Sequence, residues 1–259
     1  MKLGICAGLE SAPALREAGW DYVEGSVQAL FCGLEPDEAW TMLEPIRSAA
    51  VPVLAANLLV PAPLKVTGSS VDGDRLRRYM THVLDRAGRC GTRMLVFGSG
   101  GARQVPDGFD KSRAEQQIVE TGRMIAPIAE RHGVTVVLEP LHGGECNIVN
   151  SVAEAMQCVR AVAHPSFQCL VDSYHLWMQG EPLDAVRDAG AHVRHVHLAD
   201  RDGRVAPGES KSTDYRPLFR VLKDIGYDGL MSVEGSWPGD PAVMRPRVLG
   251  YLREQWAAA

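Results

Sequence analysis

Residues 193–200 read VRHVHLAD, and comparable stretches occur at 134–140 (VTVVLEP), 167–175 (FQCLVDSYH) and 230–235 (LMSVEG). The last three stretches begin as short, mainly apolar runs, and the first alternates apolar residues with Arg194, His195 and His197; both patterns are typical of strands. Each run then ends in an acidic residue or a histidine. Strands buried on both faces belong to parallel sheets, whose carboxyl ends meet at one edge. These stretches therefore predict a parallel sheet with reactive side chains along one edge.

Four more apolar runs precede these stretches, so the chain contains eight strand candidates. They are Lys2–Cys6, Tyr22–Gly25, Pro52–Asn57, Met94–Gly98, Val134–Glu139, Gln168–Ser173, Val193–Leu198 and Leu230–Gly235. The segments between them show helical periodicity. Eight alternating strands and helices in 259 residues predict an α/β fold, a closed parallel (β/α)₈ barrel, as a single domain over residues 1–259. The alternative is a doubly wound open sheet, but no G-x-G-x-x-G motif opens the chain.

Local signals mark where several helices begin and end. Ser151 precedes a helical segment with Glu154 three residues later, which predicts a capping box. Glycines follow other helical segments at Gly19, Gly133 and Gly226. Glycine adopts the left-handed conformation at a helix end at little cost, so these positions predict helix termination.

The active site of such a barrel lies at the carboxyl ends of its strands. The metal-binding side chains at the ends of strands 5 to 8 are Glu139, Asp172, His197 and Glu234. Side chains alternate along a strand, so all four can point into the barrel. Three carboxylates in a small space would repel one another, and a divalent cation removes that repulsion. Three oxygen ligands and one imidazole favour one Mn²⁺, Mg²⁺ or Co²⁺ ion, with Zn²⁺ as the alternative.

Composition excludes several other classes of protein. The net charge is −5 and the basic residues are scattered, which argues against nucleic acid as a partner. None of the six cysteines forms a C-x-x-C pair, so no zinc knuckle is predicted. The chain has no signal-peptide pattern and no apolar run of about 20 residues that could span a membrane. We therefore expect a cytoplasmic protein with no membrane association.

The residues around the predicted ligands resemble those of a known family. The stretches that carry the resemblance are LEPLHGGECNIVN at 138–150, LVDSYH at 170–175, HVHLAD at 195–200 and YDGLMSVEG at 227–235. Together they resemble the xylose isomerase-like, or sugar phosphate isomerase/epimerase, family of TIM barrels. The closest similarity is to the ketose 3-epimerase and hydroxypyruvate isomerase branch. The residues at 56–68 and 96–109 also look like this family, so the resemblance covers most of the chain.

The resemblance implies roles for individual residues. It implies that Glu139 and Glu234 are both metal ligands and the catalytic acid–base pair. It implies that Glu145 and His175 bind the substrate near its reacting carbons. In the ketose 3-epimerases an arginine follows the metal-binding histidine by six residues, where this chain has Gly203. The resemblance therefore assigns substrate binding to one of the nearby arginines, and we take Arg201, with Arg204 as the neighbouring alternative.

Three further features near the predicted site each have two interpretations. His142 follows strand 5, where it either contacts substrate hydroxyls or is a solvated loop residue. His195 lies two residues before His197 and is either a second ligand or, as we favour, a hydrogen-bonded core residue. The segment Gly98–Arg103 after strand 4 is either a phosphate-binding loop or a plain rim loop.

The resulting functional prediction is a metal-dependent isomerase or epimerase of a small keto sugar or related hydroxy-ketone. Its substrate is a small sugar or a polyol-derived molecule. The alternative is a dehydratase, a lyase acting on an inosose-like or dehydroshikimate-like ring. A related nuclease activity would need more metal ligands on earlier strands, where this chain has Asn57 and Gly98. Intact Glu139 and Glu234 argue against a non-catalytic sugar-binding barrel, and both a homodimer and a homotetramer remain open.

Overall fold

In a computed structural model that describes all residues from Met1 to Ala259, the eight predicted strands form one closed barrel. All strands are parallel and pair in chain order, and β8 closes the barrel against β1. They are β1 (Lys2–Cys6), β2 (Tyr22–Ser26), β3 (Val53–Asn57), β4 (Met94–Phe97), β5 (Thr135–Leu138), β6 (Phe167–Asp172), β7 (Val193–Leu198) and β8 (Leu230–Val233). The predicted (β/α)₈ barrel is thus confirmed, and every strand lies where the sequence placed it, to within two residues.

Helices surround the barrel. They are α1 (Ala12–Glu17), α2 (Val27–Phe31), α3 (Leu43–Arg47), α4 (Gly73–Cys90), α5 (Gly100–Arg103), α6 (Lys111–Arg131), α7 (Val152–Val162), α8 (Ser173–Gln179), α9 (Asp184–Ala189), α10 (Arg216–Asp224) and α11 (Pro241–Ala257). Short 3₁₀ helices lie at Leu9–Ser11, Asp37–Ala39 and Gly190–His192. None of the helices combines the length and apolar character that a membrane crossing requires.

The predicted helix caps are present. Ser151 Oγ accepts a hydrogen bond from the Glu154 N–H at 3.1 Å and caps α7. The Glu154 carboxylate accepts from the backbone N–H of Asn150 at 2.6 Å, one residue before the cap itself. Gly133 and Gly226 adopt positive φ angles of 67° and 70° after α6 and α10, the left-handed conformation that glycine favours.

Two hydrophobic layers hold the fold together. The larger contains 68 buried residues, and much of it packs the outer face of the sheet against the helices. The smaller lies inside the barrel and consists of Val96, Val137 and Leu170. Val137 and Leu170 each lie two residues before a predicted ligand. Because side chains alternate along a strand, Glu139 and Asp172 continue these inward-facing rows to the open end of the barrel.

Candidate metal and substrate site

The four predicted metal ligands lie together at the carboxyl end of the barrel. One ligand atom from each of Glu139, Asp172, His197 and Glu234 lies within 4.8 Å of the other three. His197 Nδ1 is 3.1 Å from Glu139 Oε1 and 3.4 Å from Glu234 Oε2. Strand register explains this grouping, since Asp172 pairs with His197, which in turn pairs with Ser232 of β8. We call these four residues the ligand cluster.

The side chain of Asp172 shows that the ligand cluster suits a cation. Its Oδ1 caps α8 and accepts hydrogen bonds from the N–H groups of Tyr174 at 2.7 Å and His175 at 3.3 Å. Its Oδ2 is buried with no hydrogen-bond partner; the Arg204 guanidinium lies 3.7 Å away and His197 Nδ1 lies 4.0 Å away. Such unpartnered buried oxygens are rare in folded proteins. Because this one faces three other potential ligands, the cluster fits a divalent ion.

The carboxylates of the ligand cluster lie in different electrostatic environments. Burial, together with the negative charge of Glu234, raises the pKa of Asp172 to about 6. Burial also raises the pKa of Glu139, although its hydrogen bond to His197 opposes the shift. Burial acts on Glu234 as well, but the positive charges of His197 and Arg204 outweigh it and lower the pKa of Glu234. The two glutamates therefore differ in proton affinity, as an acid and a base in one site commonly do.

A second polar layer lies beneath the ligand cluster, inside the barrel, and sequence analysis did not predict it. Its centre is Glu24 of β2, which is fully buried. Glu24 Oε1 lies 3.0 Å from His197 Nε2, and Oε2 lies 2.7 Å from His195 Nε2. Ser232 Oγ donates to the same Oε2 at 2.5 Å. His195 Nδ1 also contacts the Leu230 carbonyl at 2.9 Å, so His195 is a hydrogen-bonded core residue, as the favoured interpretation predicted.

Three of the predicted substrate-binding residues meet at the rim above the ligand cluster. His175 Nδ1 accepts a hydrogen bond from the backbone N–H of His142 at 3.2 Å. His175 Nε2 lies 3.8 Å from Glu145 Oε2, and His142 Nε2 lies 3.4 Å from Glu145 Oε1. Burial lowers the pKa of His175 to about 4, so its ring is neutral near pH 7. A neutral ring that accepts at Nδ1 carries its proton on Nε2, which faces Glu145.

An arginine connects this rim to the ligand cluster. The guanidinium of Arg204 donates to Glu234 Oε2 at 2.7 Å and to Glu145 Oε1 at 3.0 Å. It also lies over the ring of Tyr174, 4.9 Å from the ring centre. The other oxygen of Glu234 accepts a hydrogen bond from the Asn57 side chain at 2.8 Å. Glu234 is thus held from two sides by donors that come from different loops.

Of the two arginines, Arg204 contacts the ligand cluster, whereas Arg201, the residue taken from the sequence, is not among its contacts. The side chain of Arg201 is exposed, and its backbone N–H donates to Thr213 Oγ1 at 3.3 Å. Arg204 instead occupies a turn with a positive φ of 48°, followed by a β-bridge between Val205 and Ser236. This bridge ties the loop after β7 to the loop after β8, and the intervening turn carries Arg204 across the barrel mouth.

The segment Gly98–Arg103 after β4 packs against the site, and its last side chain, Arg103, points into the protein. Arg103 is fully buried and donates to the Phe97 carbonyl at 3.1 Å and to the Glu139 carbonyl at 2.7 Å. Its guanidinium therefore supports the backbone of β4 and of Glu139. Gly98 is required here, because a Cβ at this position would collide with the Glu139 carboxylate.

An open cavity of about 580 Å³ gives access to the ligand cluster. One side of it is charged and the other consists of small or apolar residues. The lining residues are Gln28, Leu58, Val60, Ala62, Gly98, Ser99, Gly100, Gly101, Glu139, Leu141, Glu145, Arg204 and Glu234. This volume is in the range of small-molecule sites, roughly 300–1,000 Å³, and it exceeds what a metal ion alone would need.

Three residues of the site were missed or misassigned from the sequence. Glu24 could have been noticed as the only charged residue in β2, because an acid within a buried strand needs a partner. Asn57 ends β3 at the level of the other strand-end residues, but an amide is not a metal ligand by preference. Arg204 carried no signal that separates it from Arg201 before the loop conformation is known.

Comparisons with known proteins identify a family and several relatives. A family model described as xylose isomerase-like TIM barrel matches residues 12–255. The D-psicose 3-epimerase of Ruminiclostridium cellulolyticum is 29% identical over 127 residues, which cover 49% of this chain and 43% of that protein. A putative hydroxypyruvate isomerase of Streptomyces coelicolor is 32% identical over 141 residues, covering 52% of this chain and 50% of that protein. The chain thus spans about half the length of these curated relatives.

A solved structure of the IOLI protein with a bound zinc atom shares the fold. It superposes with a TM-score of 0.77 at 19% sequence identity, over 100% of this chain and 99% of that one. At this level of identity the similarity shows the fold alone.

Proposed function

Because the chain belongs to the xylose isomerase-like TIM barrel family, we propose that it is a divalent-metal-dependent epimerase or isomerase of a small keto sugar or related hydroxy-ketone. One observation carries the proposal: Glu139 and Glu234 approach a single ligand cluster from β5 and β8, which are not neighbouring strands. The similarity to a psicose 3-epimerase and to a putative hydroxypyruvate isomerase supports this class of reaction.

In this proposal the ligand cluster holds one divalent ion. Three carboxylates and one imidazole favour Mn²⁺, Mg²⁺ or Co²⁺, with Zn²⁺ as the alternative. The unpartnered Oδ2 of Asp172 supports the assignment, as does the zinc atom bound by the IOLI protein. When bound, the ion supplies positive charge beside the substrate's ketone oxygen, where negative charge develops as a neighbouring carbon loses its proton.

Glu139 and Glu234 are assigned as the acid–base pair. One carboxylate removes a proton from the carbon beside the ketone, and the other returns a proton to the opposite face, so that the carbon is inverted. An isomerase would instead use one base on one face and move the proton between neighbouring carbons. Hydrogen bonds from Arg204 and Asn57 hold Glu234 in place, at 2.7 and 2.8 Å. The backbone of Glu139 is held by Arg103 at 2.7 Å.

The rim residues are assigned to substrate binding. The Nε2–H of neutral His175 donates to a substrate oxygen, and Glu145 accepts from a substrate hydroxyl. Arg204 stays charged, because the surrounding carboxylates outweigh its burial and raise its pKa. It can therefore bind an oxygen on which negative charge develops. His142, whose backbone N–H orients His175, is placed to contact a further hydroxyl.

Solvent isotope exchange tests the proposal. The purified protein is incubated with Mn²⁺ and a panel of ketoses and inososes in D₂O, and deuterium uptake is followed by NMR. Exchange with an intact carbon skeleton is expected, whereas loss of water would contradict the proposal and indicate the dehydratase. Once a substrate is found, Glu139→Gln and Glu234→Gln are compared after their metal content has been confirmed.

The two-base assignment predicts that each variant loses turnover but loses exchange from only one of the two epimers. Equal residual exchange from both epimers in both variants would contradict it and favour a single base. Glu120→Gln provides a matched control, because Glu120 is an exposed glutamate on α6 that pairs with Arg113. This control is expected to keep wild-type exchange from both epimers.

A further inference from the structure

Glu24 has no assigned role, and its burial calls for a physical explanation. Its side chain is 1% exposed and lies inside the barrel beneath His197, a position where apolar side chains are usual. Burying an ionised carboxylate is unfavourable by several kcal/mol unless donors satisfy its oxygens. Here three donors converge on it, from His197, His195 and Ser232. Ser232 is itself hydrogen-bonded to the hydroxyl of Tyr22 at 2.6 Å, so the carboxylate is held in one orientation.

The two nitrogens of His197 have different partners. Nε2 faces Glu24 at 3.0 Å, and Nδ1 faces Glu139 at 3.1 Å and Glu234 at 3.4 Å. A carboxylate without a proton can only accept, so the nitrogen next to Glu24 must carry hydrogen. A neutral imidazole with hydrogen on Nε2 has its lone pair on Nδ1, which is the nitrogen that belongs to the ligand cluster.

We propose that Glu24 is a positioning residue that fixes the tautomer and ring orientation of His197, so that Nδ1 presents its lone pair to a divalent ion. The inference rests on the proposed metal site and extends it into the barrel interior. The two flanking residues of β7 and β8 support the arrangement, since His195 and Ser232 both bind Glu24 Oε2 and leave Oε1 for His197.

The role explains why the position needs a carboxylate and not simply a polar residue. Metal-binding histidines commonly donate their second ring N–H to a carboxylate, which fixes the ring and increases the basicity of the ligating nitrogen. Removing such a partner lowers metal affinity by about 10- to 100-fold. Glu24→Leu removes the acceptor altogether, whereas Glu24→Gln keeps an acceptor oxygen of similar shape and should partly rescue the loss.

The experiment combines metal affinity with a spectroscopic measurement. Mn²⁺ affinity is measured by calorimetry for the wild type, Glu24→Leu and Glu24→Gln, and ¹⁵N NMR records the His197 Nε2–H with and without Mg²⁺. We expect about a 10- to 100-fold loss of affinity in Glu24→Leu and a smaller loss in Glu24→Gln. The Nε2–H signal should exchange slowly in the wild type and disappear or move to Nδ1 in Glu24→Leu. Arg86→Gln serves as the control. Arg86 is as buried as Glu24 and also forms hydrogen bonds, but it donates to the carbonyls of Phe31 and Glu35, away from the ligand cluster.

The outcomes separate this inference from the proposed function. A folded Glu24→Leu protein with wild-type Mn²⁺ affinity and an unchanged Nε2–H signal would overturn the inference. Equal affinity losses in Glu24→Leu and Arg86→Gln would also overturn it, since they would reflect general destabilisation. A wild-type protein that binds no Mn²⁺ would contradict the proposed function. The ¹⁵N measurement on metal-free protein, at a pH high enough to leave one hydrogen on the His197 ring, would still show whether Glu24 sets the position of that hydrogen.

Discussion

Replacing Arg204 with alanine tests which of two nearby arginines serves the site. Arg204 makes hydrogen bonds of 2.7 and 3.0 Å to Glu234 and Glu145, and each joins a cation to an anion. Hydrogen bonds to charged groups contribute about 1.5–3 kcal/mol each. If substrate takes over one of these bonds in the transition state, Arg204→Ala should lower kcat/KM by about 10- to 150-fold.

The fold should tolerate this substitution, because the Arg204 side chain is 30% exposed at the barrel mouth and belongs to no hydrophobic layer. The assay is kcat/KM on the substrate identified by deuterium exchange, with thermal unfolding as the check of structure. Arg201→Ala is the matched control and should remain within about twofold of the wild type, as surface substitutions usually do. Arg204→Lys should recover part of the loss, because lysine keeps the charge but not the paired donors. If Arg201→Ala loses as much activity as Arg204→Ala, the placement of Arg204 is refuted.

Three other predictions concern the metal, the rim and the loop after β7. Apparent Mn²⁺ affinity should increase as pH rises from about 5 to 8, because the ion must displace protons from Asp172 and His197. The pKa of Asp172 is raised to about 6, and the pKa of His197 is also raised. Calorimetry that shows no pH dependence would contradict this prediction. Glu145→Gln and His175→Ala should bind Mn²⁺ as the wild type does but lose most turnover, so near-wild-type rates in both would show that they are structural. Asp200→Asn should lower the free energy of unfolding, measured by urea titration, by about 1–3 kcal/mol. The reason is that the buried Asp200 carboxylate accepts four hydrogen bonds, from Gly208, Ser210 (two) and Tyr215. An unchanged urea midpoint would contradict this prediction.

The fold was predictable because local patterns and global topology agree. Each strand is a short apolar run followed by a helical segment, and parallel strands joined by helices leave few architectures to consider. The helix caps at Ser151 and the terminal glycines followed from local chemistry alone. The ends of the strands differ from the predicted ends by up to two residues. Predicted β8 extended to Gly235, whereas the strand ends at Val233, and the Glu234 N–H still donates to the Leu198 carbonyl of β7 at 3.0 Å.

The ligand cluster was predictable for the same reason, and the rest of the site was not. A strand-end residue has its position fixed by the register of the barrel, as the pairing of Asp172 with His197 shows. Arg204 depends on a turn with positive φ that only the folded loop defines. Glu24 is distant in sequence from both histidines that it binds, and its partners come together only when β2 and β7 face each other across the barrel interior. Sequence periodicity carries no information about such contacts.

The ligand cluster is contacted from above by Arg204 and from below by Glu24. Arg204 binds Glu234 from above at 2.7 Å, while Glu24 binds His197 from below at 3.0 Å. His197 and Glu234 are 3.4 Å apart, so both layers act on one pair of ligands. Groups that share partners do not contribute independently to binding. The energetic effects of changing Glu24 and Arg204 should therefore couple in metal affinity. His142 contacts only rim residues, so His142→Ala should lower turnover, and its effect on metal affinity should be independent of a change at Glu24.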